Sequence, residues 1–443
     1  MNRFAGRPWR RAAGWLTLLA PFFYLSYGIA NHLAASRASV PSFVFAWEQH
    51  IPFWDWTIFP YWSVNAFYGL SLFIARSRHE LDRHAARLLT AQCVAVACFI
   101  AFPLHFSFGQ PEATGVAGML FTALRGFDQP FNQAPSLHIA LVVILWDLYR
   151  RVIHGRVARF VLHAWALAIC GSVLTTYQHH FIDIPTGALL GVLCVWAWPL
   201  ERRVSMARAW RWTADAQRRR LALRYAAGAG AFVGAALGLA WAGVPTGLWL
   251  FWPAASLALV ALIYAAFGAR GFQMDGRGRM AWPARWLLAP YRLAARFNGW
   301  AWTRRLPPAK ELLPGVWIGS LARLSAHSLA PQTTVVSLCA ELQSPTAAHN
   351  HCLPWLDLVP ATPQALKRAA SRIEAAVQRG NGHGAVLVGC ALGFSRSAAA
   401  LACWLLRSGR ARDVDDALAL LTRLHPQVVL GPAWQRALRQ AAV

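Results

Sequence analysis

The sequence predicts an α-helical polytopic membrane region of about eight transmembrane helices, followed by a small α/β domain with a mainly parallel sheet. Three observations carry that prediction. The 443 residues are 57% hydrophobic and only 14% charged, with 23 Trp and 24 Phe; soluble domains run at roughly 45–50% apolar and 25% charged. Apolar runs recur at about 13–33, 57–76, 88–107, 137–149, 158–177, 184–200, 223–243 and 246–268. Beyond residue 310 the runs shorten to strand length. This composition excludes intrinsic disorder, a collagen-like chain and a conventional cytosolic enzyme.

A hydrocarbon core of about 30 Å needs roughly 20 helical residues, so each of the eight runs reads as a span, with 137–149 needing its flanks. The first run is too long for a signal-peptide core and reads as a helix. The 11-residue stretch 114–124 is too short to span and reads as an interfacial or re-entrant piece. Forty-three basic against 18 acidic residues give a net charge of +25, and only Lys310 and Lys367 are lysines. The arginines separate by loop: 19 lie in the loops around 3–11, 76–87, 150–159 and 202–220, whereas the alternating loops carry only Arg37 and Arg125. That asymmetry places both termini and the C-terminal region on the cytoplasmic side of a multi-pass membrane protein. The basic balance is thus topological, and nucleic acid is not the expected partner. Eight cysteines are spread along the chain with no CxxC pair and no metal-ligand spacing, which argues against a disulfide scaffold or a zinc site.

The pattern divides the chain into a transmembrane domain (1–269), an interfacial connector (270–310) and a globular domain (311–443). The connector mixes Trp286, Leu287, Leu288, Tyr291 and Leu293 with Arg285, Arg292 and Arg296, the pattern of a helix lying at headgroup level. In the last domain, strands are expected at Val316–Ile318, Val335–Leu338 and Ala385–Val388, with helices at about 363–379, 397–408, 413–424 and 433–441.

Two constellations carry chemistry. Ser136 and His138, in Pro135-Ser136-Leu137-His138, sit where an outer loop enters a helix. His179 and Asp183 begin the next crossing on the same side. Residues four apart share a helical face, so Asp183 can hold one nitrogen of His179 while the other attacks phosphorus. His138 can then protonate the leaving alkoxide, and Ser136 with helix-start N–H groups can hold phosphate oxygens. The second constellation is Val386-Leu387-Val388-Gly389-Cys390-Ala391-Leu392-Gly393-Phe394-Ser395-Arg396-Ser397, an apolar strand, a loop and a helix start. Cys390 and Arg396 are separated by five residues, so a curled loop through Gly393 presents its N–H groups to an anion and Arg396 grips two oxygens. The same field favours the Cys390 thiolate, the nucleophilic form. Ser397 can stabilise that thiolate as it leaves, and Asp357, 33 residues ahead of Cys390, is placed to act as general acid.

The first constellation resembles the type-2 phosphatidic acid phosphatase superfamily, particularly its branch with the inositol-phosphorylceramide and sphingomyelin synthases, over about 57–200. The resemblance implies a metal-independent phosphohistidine mechanism on a lipid phosphate, with His179 as nucleophile, Asp183 its partner and His138 the general acid. Gln110 stands where that family supplies a phosphate-binding arginine, and Arg125 is the basic residue left in the loop. The second constellation resembles the dual-specificity branch of the cysteine-dependent tyrosine phosphatases, across about 311–443, with Gly389 in place of the usual histidine. The whole chain resembles bacterial fusions of the two modules. That implies an inner-membrane enzyme with a histidine site on the periplasmic face and a cysteine site in the cytoplasm, needing no cofactor or metal. Its expected substrates are membrane lipid phosphates. The alternatives are a cytoplasmic domain acting on phosphoproteins, and an inactive lipid-binding or regulatory membrane protein.

Overall fold

The computed structural model describes residues 7–442 except 202–205, 326, 328, 331, 346, 348 and 380–384. Arg3, Arg202 and Arg203 of the basic loops therefore lie outside the described residues. The chain forms two compact units, Met1–Arg208 and Ala209–Val443.

The first unit is helical: α1 (Trp9–Ala35), α2 (Ile58–Ile74), α3 (Arg78–Ala101), α4 (Gly115–Arg125), α5 (Leu137–Val152), α6 (Arg156–Thr175) and α7 (Asp183–Ala197). A one-turn helix, α8 (Met206–Ala209), stands at the boundary. The second unit opens with α9 (Ala216–Trp241) and α10 (Phe251–Leu262), the latter continuing through a π-helical turn at Ile263–Phe267. All eight apolar runs are therefore helical, but among the described residues five rather than eight helices are long and apolar enough to cross a membrane: Trp9–Ala35, Arg78–Ala101, Arg156–Thr175, Ala216–Trp241 and Pro245–Phe272. The other three, α2, α5 and α7, have 17, 16 and 15 residues. Helix α5 starts at Leu137, directly after its cap Ser136, and α7 starts at Asp183 and ends at Ala197. The stretch expected to be interfacial is the 11-residue α4.

Close packing of α5 on α7 sets the geometry of the polar cluster. A side chain at Gly187 would strike the Ser136 carbonyl, and one at Gly191 would come within 2.7 Å of the Ala140 carbonyl. Gly187 and Gly191, four apart, let the two backbones touch, the usual device of helices packed in membranes. At the other end of α5, the buried Asp147 takes Arg87 (2.9 Å), Arg150 (2.6 Å) and Arg151 (3.3 Å). This cluster ties α3 to α5 and satisfies a carboxylate that would be costly to bury alone.

In the second unit the connector forms α11 (Trp282–Leu287) and α12 (Ala289–Thr303). Trp286, Leu293, Phe297, Trp300 and Trp302 are exposed along them. The α/β part has strands β1 (Ala309–Leu313), β2 (Val316–Ser320), β3 (Thr334–Cys339), β4 (His349–Trp355) and β5 (Val386–Cys390) in the order β1-β2-β5-β3-β4. Only the β1–β2 pair is antiparallel. Alternation along the strands separates two faces. Val386, Val388, Val336 and Leu338 pack with α13 (Pro363–Arg379), α14 (Arg396–Arg407), α15 (Val414–Leu424) and α16 (Pro432–Ala442), whereas Leu387 and Val335 pack on the opposite side with Leu321 and Leu324. The three expected strands and four expected helices are present. Strands β1 and β4 add to them, and both are weakly apolar edge strands whose sequences, Ala-Lys-Glu-Leu-Leu and His-Asn-His-Cys-Leu-Pro-Trp, carry little strand signal.

Candidate functional site

Strand β5 is central in the sheet and ends at Cys390, with the loop 391–395 leading into the N-terminus of α14. The loop is fixed from below. Leu321 N–H donates to the Cys390 carbonyl (2.8 Å), and the Ser320 hydroxyl donates to the Ala391 carbonyl (2.7 Å). Gly393 turns the loop at φ +86°, and a Cβ there would stand 3.0 Å from the Gly319 carbonyl. In that conformation the Gly393 N–H donates to Cys390 Sγ at 3.2 Å. A Cβ at Gly389 would come within 2.8 Å of Leu321 Cδ2, so the Leu321 side chain would have to shift to admit one.

Arg396 is buried beneath the loop in an acidic setting. Its Nη1 and Nη2 donate to the two oxygens of Glu341 at 3.0 and 2.6 Å, Nη1 also donates to the Trp355 carbonyl at 3.0 Å, and Nη2 lies 3.0 Å from Asp357 Oδ1. Burial works to raise the Glu341 carboxyl, but Arg396 overrides it and holds the group below the usual carboxylate range. Burial also raises Asp357, which stays above its ordinary range against the pull of Arg396. Arg396 Nε and Ser397 Oγ are buried without a protein partner. The sequence reading missed Glu341. Its signal was partial: an acidic residue two positions past the buried strand end Ser337-Leu338-Cys339 calls for a cation, but local spacing does not say which.

The acid segment is anchored outside the α/β part. The Tyr264 hydroxyl, in the π-helical turn after α10, donates to the Asp357 carbonyl (3.1 Å), and Gln217 of α9 donates to the Leu358 carbonyl (3.2 Å). Leu358 is exposed and holds a left-handed φ of 57°. Helix α12 reaches the loop through Gly299, where a Cβ would meet Ala322 Cβ at 2.5 Å and the Ala391 carbonyl at 3.5 Å.

In the first unit, His179 Nδ1 lies 3.1 Å from Asp183 Oδ2, and His179 Nε2 lies 3.2 Å from Ser136 Oγ. Ser136 is fully buried and caps α5 by accepting from Ile139 N–H. His138 stacks on Tyr61 with centroids 4.1 Å apart, its Nε2 buried without a partner. His179, Asp183 and Ser136 are thus in one hydrogen-bonded group beside His138. Arg125 is exposed at the C-terminal end of α4, and Gln110 donates its amide to the Thr176 carbonyl (2.9 Å). Sequence reasoning passed over Asp128, whose carboxyl burial pushes up to about 6, and a second histidine–carboxylate pair, His180 with Glu48.

No protein-family model matches this chain. Among solved structures it is similar to human DUSP28, at 24% identity and a TM-score of 0.27, over 30% of this chain and 94% of that one. It is also similar to a mouse dual specificity phosphatase complexed with zinc tungstate, at 26% identity and a TM-score of 0.28, over 31% and 87%. A third similar structure is PTPMT1 in complex with PI(5)P, at 14% identity and a TM-score of 0.23, over 31% and 95%. The C-terminal third of the chain resembles dual-specificity phosphatases, and it is attached to an apolar helical region.

Proposed function

We propose that the α/β part is a cysteine-dependent phosphomonoesterase whose substrate is a lipid phosphate held at a membrane surface. The observation that carries the lipid reading is the anchoring of Asp357: its carbonyl is held by Tyr264 at the end of an apolar helix long enough to cross a membrane. The packing of amphipathic α12 on the loop at Gly299, with Leu293, Phe297 and Trp300 exposed, supports the same placement.

Cys390 Sγ attacks phosphorus, forming the S–P bond as the P–O bond to the lipid breaks. The Asp357 carboxyl gives its proton to the leaving alkoxide, and Arg396 with the loop N–H groups neutralises the equatorial oxygens. The entering phosphate competes with Asp357 for Arg396 Nη2, which frees the carboxyl for the leaving oxygen. Water then attacks phosphorus, Asp357 takes its proton, and Ser397 supports the departing thiolate.

A second phosphoryl site is proposed at His179, supported by its Nδ1 contact with Asp183 and by Ser136 at its other nitrogen. There His179 Nε2 accepts the phosphoryl group and His138 protonates the leaving group. The test is phosphate release from phosphatidylglycerophosphate, phosphatidic acid and a polyprenyl pyrophosphate in micelles by wild type, Cys390→Ser and His179→Ala. Turnover that divides by variant supports both sites. Loss in Cys390→Ser alone removes the histidine reading, and binding without turnover by the wild type removes both.

A further inference from the structure

His180 and Glu48 take no part in the phosphoryl chemistry above, yet they are among the most buried ionisable groups of the first unit, at 2% and 1% exposure. His180 Nδ1 lies 3.0 Å from Glu48 Oε2. The same carboxylate is fixed by the N–H groups of Phe45 on Oε1 (2.8 Å) and Phe181 on Oε2 (2.9 Å). Burial works to raise the Glu48 carboxyl, but His180 and these two N–H groups hold it below the usual range, so it is an acceptor and Nδ1 carries the ring proton. That assignment leaves Nε2 as the basic nitrogen. It faces Ser107: the Ser107 N–H donates to it at 3.2 Å and the Ser107 hydroxyl stands 3.2 Å away. A second hydroxyl, Ser42, is at 3.4 Å.

Ser107 itself is exposed, while its base and the base's carboxylate are enclosed. The surroundings are aromatic. Phe106 stacks on His180 at 4.4 Å, Phe108 meets the same ring edge-on at 5.1 Å, and Trp47 packs on Phe181 at 5.0 Å. A nucleophile, a base with its unprotonated nitrogen at hydrogen-bond distance from that nucleophile, and a carboxylate on the other nitrogen form the arrangement that activates serine on unrelated folds.

We propose that Ser107, His180 and Glu48 form a third catalytic group, a serine esterase centre acting on carboxylic esters with an apolar acyl chain. Ser107 Oγ attacks the carbonyl carbon and its proton passes to His180 Nε2, with Glu48 stabilising the imidazolium. Collapse of the tetrahedral adduct breaks the bond to the alcohol oxygen, which takes the proton from His180. Water then attacks the acyl-serine with His180 again as base, releasing the acid and restoring Ser107. This inference is independent of the phosphoryl reading.

The test treats the full-length protein in detergent micelles with a fluorophosphonate, which reacts with activated serines, and maps the modified residue. The expected result is labelling at Ser107, none in Ser107→Ala, and at least a roughly 10-fold slower rate in His180→Gln and Glu48→Gln. Thermal melting establishes that each variant is folded. Should His180→Gln not fold, protection of wild-type Ser107 by a nitrophenyl ester, stronger for longer acyl chains, decides the matter. A folded wild type unlabelled at Ser107, label on Ser42, an unchanged rate in folded His180→Gln, or no protection by esters would each overturn the proposal.

Discussion

The cysteine loop and the histidine cluster differ in how they are assembled, and the difference decides what each is sensitive to. The loop is one continuous segment, residues 390–397, held by its own strand and helix, by Ser320 and Leu321 at the end of β2, and by one buried cation. The cluster is drawn from separate segments: Ser136 and His138 at the start of α5, His179 and Asp183 before and at the start of α7, and Glu48 and Ser107 from two further loops. A local device concentrates its stability in a few strong interactions. A dispersed one depends on helix packing, here the Gly187 and Gly191 contacts with α5.

The largest expected effect follows from the buried Arg396–Glu341 pair. Glu341→Ala strands a buried guanidinium and should lower stability by about 3–5 kcal/mol, whereas His179→Ala, which removes hydrogen bonds of the cluster, should cost only about 1–3 kcal/mol. Denaturant or thermal melts of the two variants in one detergent check this, and equal losses would erase the distinction drawn here.

Asp357→Asn should lower turnover of an alkyl phosphate by roughly 10²-fold or more, the usual contribution of a positioned general acid. Its pH profile sharpens the point. Because burial holds the Asp357 carboxyl above its ordinary range, the protonated acid persists to higher pH than a free aspartate, and activity falls on the alkaline side as that proton leaves. The alkaline fall should vanish in Asp357→Asn, as a pH series of initial rates will show.

Gly393→Ala forces a side chain into the left-handed region beside the Gly319 carbonyl, at about 1–2 kcal/mol. Melting should show that loss together with slower phosphate release. The smallest effect is expected from Tyr264→Phe, which removes one hydrogen bond to the Asp357 carbonyl, worth about 0.5–1.5 kcal/mol. Rates on alkyl phosphates should fall a few-fold while nitrophenyl phosphate, whose leaving group needs no proton, is turned over as before. A uniform loss on both substrates would make Tyr264 a packing residue only.

Most of the architecture was legible in the sequence because periodicity and length are local properties. The eight apolar runs, the switch after residue 310 and the strand–loop–helix around Cys390 needed nothing beyond neighbouring residues. Span lengths were less legible: the runs at 57–76 and 184–200 continue past the ends of α2 at Ile74 and α7 at Ala197, and the short run at 137–149 gains only three flanking residues, to Val152, in α5. Partner carboxylates were the least legible. Glu341 lies 55 residues from Arg396 and Glu48 lies 132 from His180, so nothing in local spacing announces either pair. Arg125 illustrates the converse, a charge that the loop composition singled out and that the fold leaves exposed.

The central claim is that the Cys390 site works on lipid phosphomonoesters at a membrane surface. The most direct test compares phosphate release from phosphatidylglycerophosphate in mixed micelles with release from a soluble phosphotyrosine peptide, for wild type and Cys390→Ser. The account predicts that the lipid is turned over at least roughly 10-fold better in kcat/KM, and that Cys390→Ser abolishes both activities. Better turnover of the peptide, or lipid turnover surviving in Cys390→Ser, would contradict it.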